Sequence, residues 1–163
     1  MAYNWKPLAA NFTDDLDSTG MSDSQKTALI GAWSIFSENL YDHSKNIFSR
    51  FYDENIEYLR HWYTLGNDLM HQHSENVLHF FDELIVSGLR DPEVFDESLH
   101  NFGKVHKSVS KSDIEKLNQT IKDYFLDQVK KHKTKTLEEA VEILMKKIES
   151  KVQSSDEICS EED

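Results

Sequence analysis

The chain has 163 residues, a formal net charge of −12 and a mean hydropathy of −0.64. Its length suits one domain with a sizeable core, and its acidity speaks against a nucleic-acid or anionic-membrane surface. No apolar run approaches the roughly 20 residues of a membrane span, and Met1-Ala2-Tyr3-Asn4-Trp5-Lys6 lacks a signal-peptide core.

Five glycines and two prolines leave little punctuation, which favours long helices over a many-turned β fold. Residues 1–21 are polar and unpatterned, and read as a flexible N-terminal extension. Ser22 with Gln25 is a capping-box signature, opening a helix whose buried stripe is Leu29, Trp33, Phe36 and Leu40. Asp42 is placed to cap the next helix, with Ile47, Phe48, Phe51 and Tyr52 as its apolar face. A short helix runs from Ile56 to Trp62, and Gly66-Asn67 form a break and cap before the next one.

That next helix carries Met70, His73, Val77, Phe81 and Leu84 at steps of three and four, which is one helical stripe. Gly88 is expected to end it in a left-handed cap, and Asp91-Pro92 to supply the cap and first-turn proline of its successor. On the successor, Leu99, Phe102 and His106 share a face. Ser112 with Glu115 reads as a further capping box before Ile114, Leu117, Ile121, Phe125 and Gln128. The Lys130-Lys131-His132-Lys133 run suits a helix C-terminus. Thr136 with Glu139 opens a last helix striped by Leu137, Val141, Leu144, Ile148 and Val152. Residues 154–163 form an acidic flexible tail, where Cys159, the only cysteine, can make no internal disulfide; these features suit a cytoplasmic protein.

Two stripes thus place an imidazole in line with large apolar groups. A single histidine so placed is more often a hydrogen-bonded core or edge residue than a ligand. Two on separate helices, each bracketed by apolar side chains, raise the ligand reading. A neutral imidazole can bond iron through one nitrogen while the other donates to a backbone carbonyl, and an apolar surround suits a flat cofactor such as haem. His71 and His73 do not form a metal pair, because residues two apart on a helix point roughly 200° away from each other. No P-loop, dinucleotide fingerprint, paired-cysteine zinc pattern or nucleophile elbow is present.

His73-x-x-x-Val77-Leu78, followed by Leu99-x-x-Phe102-x-x-x-His106, resembles the distal and proximal helices of the globin family. Trp33 and the stretch His43 to Phe51 resemble its first two helices, and Ser44 and Ser74 stand where that family uses small residues to let two helices cross closely. The resemblance covers about residues 22–153. It implies an all-α globin fold of six to eight helices around a haem pocket. It also implies haem b (iron protoporphyrin IX) with His106 as the proximal iron ligand and His73 as the distal histidine, able to become a sixth ligand. Phe48, Trp62, Val77, Phe102, Val109 and Ile114 would then shield the porphyrin. Trp62 stands where the family has a phenylalanine, and Ile56 where it has a proline.

The function that the resemblance implies is reversible binding of dioxygen, for storage, supply or transport. One alternative is a six-coordinate haem protein in gas or redox sensing or in nitric-oxide and peroxide chemistry, with nitric-oxide dioxygenase or peroxidase turnover. Another is a haem-free helical domain acting through protein contacts. Expected partners are dioxygen or another diatomic gas, with no nucleic acid and no membrane; a homo-oligomer is left open.

Overall fold

Ser22 Oγ accepts from the Gln25 backbone N–H at 3.2 Å while Gln25 Oε1 accepts from the Ser22 N–H at 2.9 Å. The expected capping box therefore starts helix α1, Asp23–Phe36. The structure, a computed structural model, describes residues 16–152, apart from the side chains of 61–65, 67 and 68. Most of the expected N-terminal extension, the acidic tail with Cys159, and the side chain of Trp62 lie outside the described residues.

After a 3₁₀ turn at Ser37–Asn39 come α2 (Leu40–Glu54), α3 (Ile56–Leu65) and α4 (Asn67–Asp82). A π-helical segment, Glu83–Gly88, extends α4 and leads to α5 (Pro92–Val105), α6 (Lys111–Gln128) and α7 (Lys135–Glu149). The described chain is helical with no strand, and no helix among the described residues is long and apolar enough to cross a membrane.

Several helix starts differ from the expected ones. α6 is capped by Ser110, whose hydroxyl accepts from Asp113 N–H at 3.2 Å, and Ser112 lies inside the first turn. α7 is capped by Thr134, which accepts from Leu137 N–H at 3.1 Å, and Thr136 is inside. In both cases two oxygen-bearing residues compete, and the earlier one wins because it adds half a turn of backbone hydrogen bonding. Asp42 caps nothing: it sits in the first turn of α2, because the chain passes from α1 through the 3₁₀ turn without an extended residue there. Asp91 caps α5 as expected, with Pro92 at its first position.

The core forms around Trp33, which is 2% exposed. Its indole packs against Phe36, Phe81 and Phe125 at ring distances of 5.1, 6.5 and 5.8 Å. Its Nε1–H donates to Asp82 Oδ1 at 2.8 Å, so the one polar atom of the indole is satisfied. α1 lies along α7, whose Leu137, Val141, Leu144 and Ile148 are all buried. α2 packs on α4 and α6. Thr19 and Met21 are buried too, and Asp17 accepts from the Thr19 N–H at 3.0 Å and pairs with Lys26. The packed chain therefore begins before residue 22, within the stretch expected to be a free extension.

Gly88 is not a left-handed cap, since positive φ is confined to Gly20 and Gly66 among the described residues. Its role is close approach: a Cβ there would lie 3.1 Å from both the backbone and the ring of Phe95. Both residues are buried, so α5 comes down on the π segment at a point where only hydrogen fits. Gly66, at φ 101°, occupies the position that caps α4, where a left-handed backbone favours glycine.

Two substitutions separate these roles. Gly88→Ala should lower stability by about 1–3 kcal/mol through overpacking. Gly31→Ala adds a methyl that meets no atom within 4 Å, and should raise stability by about 0.5–1 kcal/mol. Urea unfolding of both variants checks the opposite signs.

Candidate functional site

The stripe expected on α4 is buried only towards its C-terminal end, at Phe81 and Leu84. Ser74, Leu78 and Phe81, with Leu84 and Ile85 of the π segment, are buried. Met70, His73, Val77 and Phe80 lie half-buried beside them. On the partner side Leu99 is buried, while Phe102, His106 and Val109 are half-buried. The reason is the placement of α5. It packs closely on the π segment and far less on α4 itself, so the two helices diverge from that hinge. The result is a seam of apolar side chains, neither sealed nor exposed, with one imidazole on each side.

His106 ends α5. Its backbone N–H donates to the Phe102 carbonyl at 3.1 Å, and its Nδ1 approaches the same oxygen at 2.8 Å. A carbonyl oxygen only accepts, so Nδ1 carries a proton, and in the neutral ring Nε2 is the nitrogen with the lone pair. The Phe102 carbonyl thus accepts twice from His106 at the C-terminal end of α5, once from its backbone and once from its ring. It also fixes the ring, which lies on Phe102 at 4.2 Å, and Phe102 in turn stacks on Phe80 at 5.0 Å and 16°.

Across the seam, the His73 ring meets Phe48 edge-on at 6.1 Å. Burial, and after it the electrostatic influence of His106, holds His73 below its ordinary pKa, which favours the neutral ring. The two imidazoles are thus within electrostatic reach of each other.

The other expected site residues divide between these neighbours and the core. Phe48 is buried at the seam and Phe102 carries the His106 ring, while Val77 and Val109 pack half-buried against the core. Ile114 is buried in α6. His71 is exposed. Phe80 joins the constellation unexpectedly. It lies seven positions after His73, on the same helical face, so the periodicity that found His73 could have found it.

A second polar cluster lies apart. His43 stacks on Phe36 at 4.1 Å, and its Nδ1 lies 2.7 Å from the Tyr124 hydroxyl, which also accepts from Asn46 Nδ2 at 3.1 Å. Burial lowers the His43 pKa, and Asp42 opposes that shift. The cluster joins α2 to α6. Among the described residues no three or more His, Cys, Asp or Glu side chains gather as a metal-binding group.

The sequence matches no known family profile, and no curated protein aligns with it significantly.

The depressed pKa of His73 makes a stability prediction. In the unfolded chain a histidine takes its proton near about pH 6.5, whereas folded His73 resists it until lower pH. The unfolded state then binds more protons, so stability is lost as pH falls from about 6.5 towards the folded pKa. The urea midpoint should drop between about pH 7.5 and about pH 5.5. His73→Phe should reduce that drop, leaving a remainder from His43, which is shifted the same way.

Proposed function

We propose that this chain is a haem-binding globin that binds dioxygen reversibly, with His106 as the iron ligand and His73 on the opposite side. One observation carries the reading: the Nδ1 of His106 is committed to the Phe102 carbonyl at 2.8 Å, which leaves Nε2 with its lone pair beside a half-buried apolar seam. Metal-ligating imidazoles are commonly oriented in this way by a carbonyl acceptor. Haem supplies four equatorial donors of its own, so one or two imidazoles suffice where no three-residue metal cluster gathers. When bound, it supplies an iron atom that takes a diatomic ligand.

The chain's own residues do the rest. The Phe102 carbonyl holds the His106 ring in one tautomer and one orientation. Phe48, Val77, Phe80, Phe102 and Val109 offer apolar surface that would exclude water from a bound porphyrin. A neutral His73 can donate a hydrogen bond to bound oxygen, which carries partial negative charge. A bond of that kind is worth roughly 1.5–3 kcal/mol, or about one to two decades in affinity.

A second reading rests on the nearness of the two imidazoles, which lie within electrostatic reach of each other. His73 can itself ligate the iron, so that a gas must displace it. Apparent affinity then falls with the fraction of open site, an arrangement suited to sensing or redox chemistry.

An absorption spectrum of the protein with haem, ferric, then dithionite-reduced, then under carbon monoxide, tests both. A five-coordinate ferrous spectrum that shifts with carbon monoxide supports the oxygen-binding reading. A six-coordinate ferrous spectrum before gas is added supports ligation by His73, and His73→Leu should convert it to five-coordinate. His106→Ala should lose most of the haem. Absence of a haem band after reconstitution, or an unchanged spectrum in His106→Ala, overturns the proposal.

A further inference from the structure

α2 and α6 are tied together by a short chain of polar groups and open into a cleft beside it. At the tie, the Tyr124 hydroxyl accepts from Asn46 Nδ2 at 3.1 Å and lies 2.7 Å from His43 Nδ1. A phenol has one hydrogen to give. All three groups are satisfied when Asn46 donates to Tyr124 and Tyr124 donates to the lone pair on Nδ1. The neutral imidazole then keeps its own proton on Nε2. Four positions from Asn46 on α2 and from Tyr124 on α6, Arg50 and Thr120 line a polar cleft of about 620 Å³, with Glu54, Asn55, Lys116 and Asp123.

The tie is fully paired in only one protonation state of His43. A proton added at Nδ1 points at the phenol oxygen, which must then accept from both neighbours while its own hydrogen loses its acceptor. Tyr124 is 8% exposed, so water does little to make up the loss. The His43 ring also lies flat on Phe36, the last residue of α1, at 4.1 Å and 5°. An imidazolium keeps that contact, because a ring face attracts a cation. Acid therefore weakens the hold of His43 on α6 and leaves its place on α1 intact.

Few charges bear on the ring. Asp42, on its own helix, opposes the downward shift that burial imposes. Lys45 lies over the Tyr41 ring, and Glu38, in the turn before α2, is exposed. On α6, Asp123 and Asp127 line the cleft with Arg50, and Lys122 pairs with Glu142 of α7.

We propose that the His43–Tyr124 contact is a pH-sensitive latch on the α2–α6 cleft, closed while His43 is neutral and loosened when it is protonated. The latch works whether or not His106 holds iron. Burial keeps the His43 pKa below its ordinary value. The latch is therefore closed near neutrality and gives way as pH falls below about 6.5.

Hydrogen exchange of the whole protein, corrected for intrinsic rates and compared between about pH 7.5 and about pH 5, tests the latch. Protection of α2 and of the C-terminal half of α6 should fall about tenfold, the loss expected for one hydrogen bond. Its midpoint should match the His43 titration followed by NMR. His43→Asn retains an acceptor for the Tyr124 hydroxyl but no titrating nitrogen, and should hold its protection across the range. Tyr124→Phe removes the tie and should show lowered protection at both ends. The fall should persist in His73→Phe, which separates it from the titration of the seam. Unchanged wild-type protection across the His43 titration, an equal fall in His43→Asn or Tyr124→Phe, its absence in His73→Phe, or an equal loss from every helix overturns the proposal.

Discussion

The close packing of α2 on α4 is the constraint on which the functional geometry depends. Ser44 and Ser74 are 1% and 5% exposed and lie on the facing sides of those helices. Their small side chains, with hydroxyls returned to their own backbones, let the two helices approach without burying an unsatisfied donor. That approach brings Phe48 against His73. A larger side chain at either serine would separate the helices and disturb that contact.

The second determinant is the hinge between α4 and α5. The Trp33 indole holds Asp82 at the last residue of α4, immediately before the chain widens into the π segment. Gly88 then admits Phe95 so closely that α5 is seated on the segment itself. From there the helices diverge, and the histidines end up on facing half-buried margins instead of in the sealed core. Fully buried imidazoles would be inaccessible, and fully exposed ones would lose their apolar surround. The hinge sets the intermediate condition that the proposed haem site requires.

Several polar side chains elsewhere are paired in ways that tie helices together. His43 and Asn46 meet the Tyr124 hydroxyl, joining α2 to α6, and the Tyr58 hydroxyl bonds Asp113, joining α3 to α6. Such pairing is what low dielectric demands. Against that background the unpaired Tyr52 hydroxyl stands out. Tyr52 is as buried as Tyr124 but its hydroxyl has no partner, a condition that Asn118 Nδ2 shares.

Much of the architecture was legible in the residues themselves. Helix periodicity, the Ser22–Gln25 box, the Asp91-Pro92 start and the stripe of α7 are local properties. They depend on side chains three or four positions apart and on the first turn of a helix, and they held. The adjacency of His106 to the Phe102 carbonyl is also local, being one turn of α5. Tertiary structure decided the rest. How far along its length the expected stripe of α4 is buried depends on where α2 and the π segment cross it, so Phe81 and Leu84 are sealed while Met70, His73 and Val77 stay half-buried. Gly88 could equally have been a left-handed cap by sequence; the arrival of Phe95 made it a contact point. Ser110 and Thr134 prevailed over Ser112 and Thr136 because the folded chain could extend each helix backwards. The distribution of hydrophobicity thus determined the helices, whereas the approach of His73 and His106 to within electrostatic reach arose from long-range packing between helices remote in sequence.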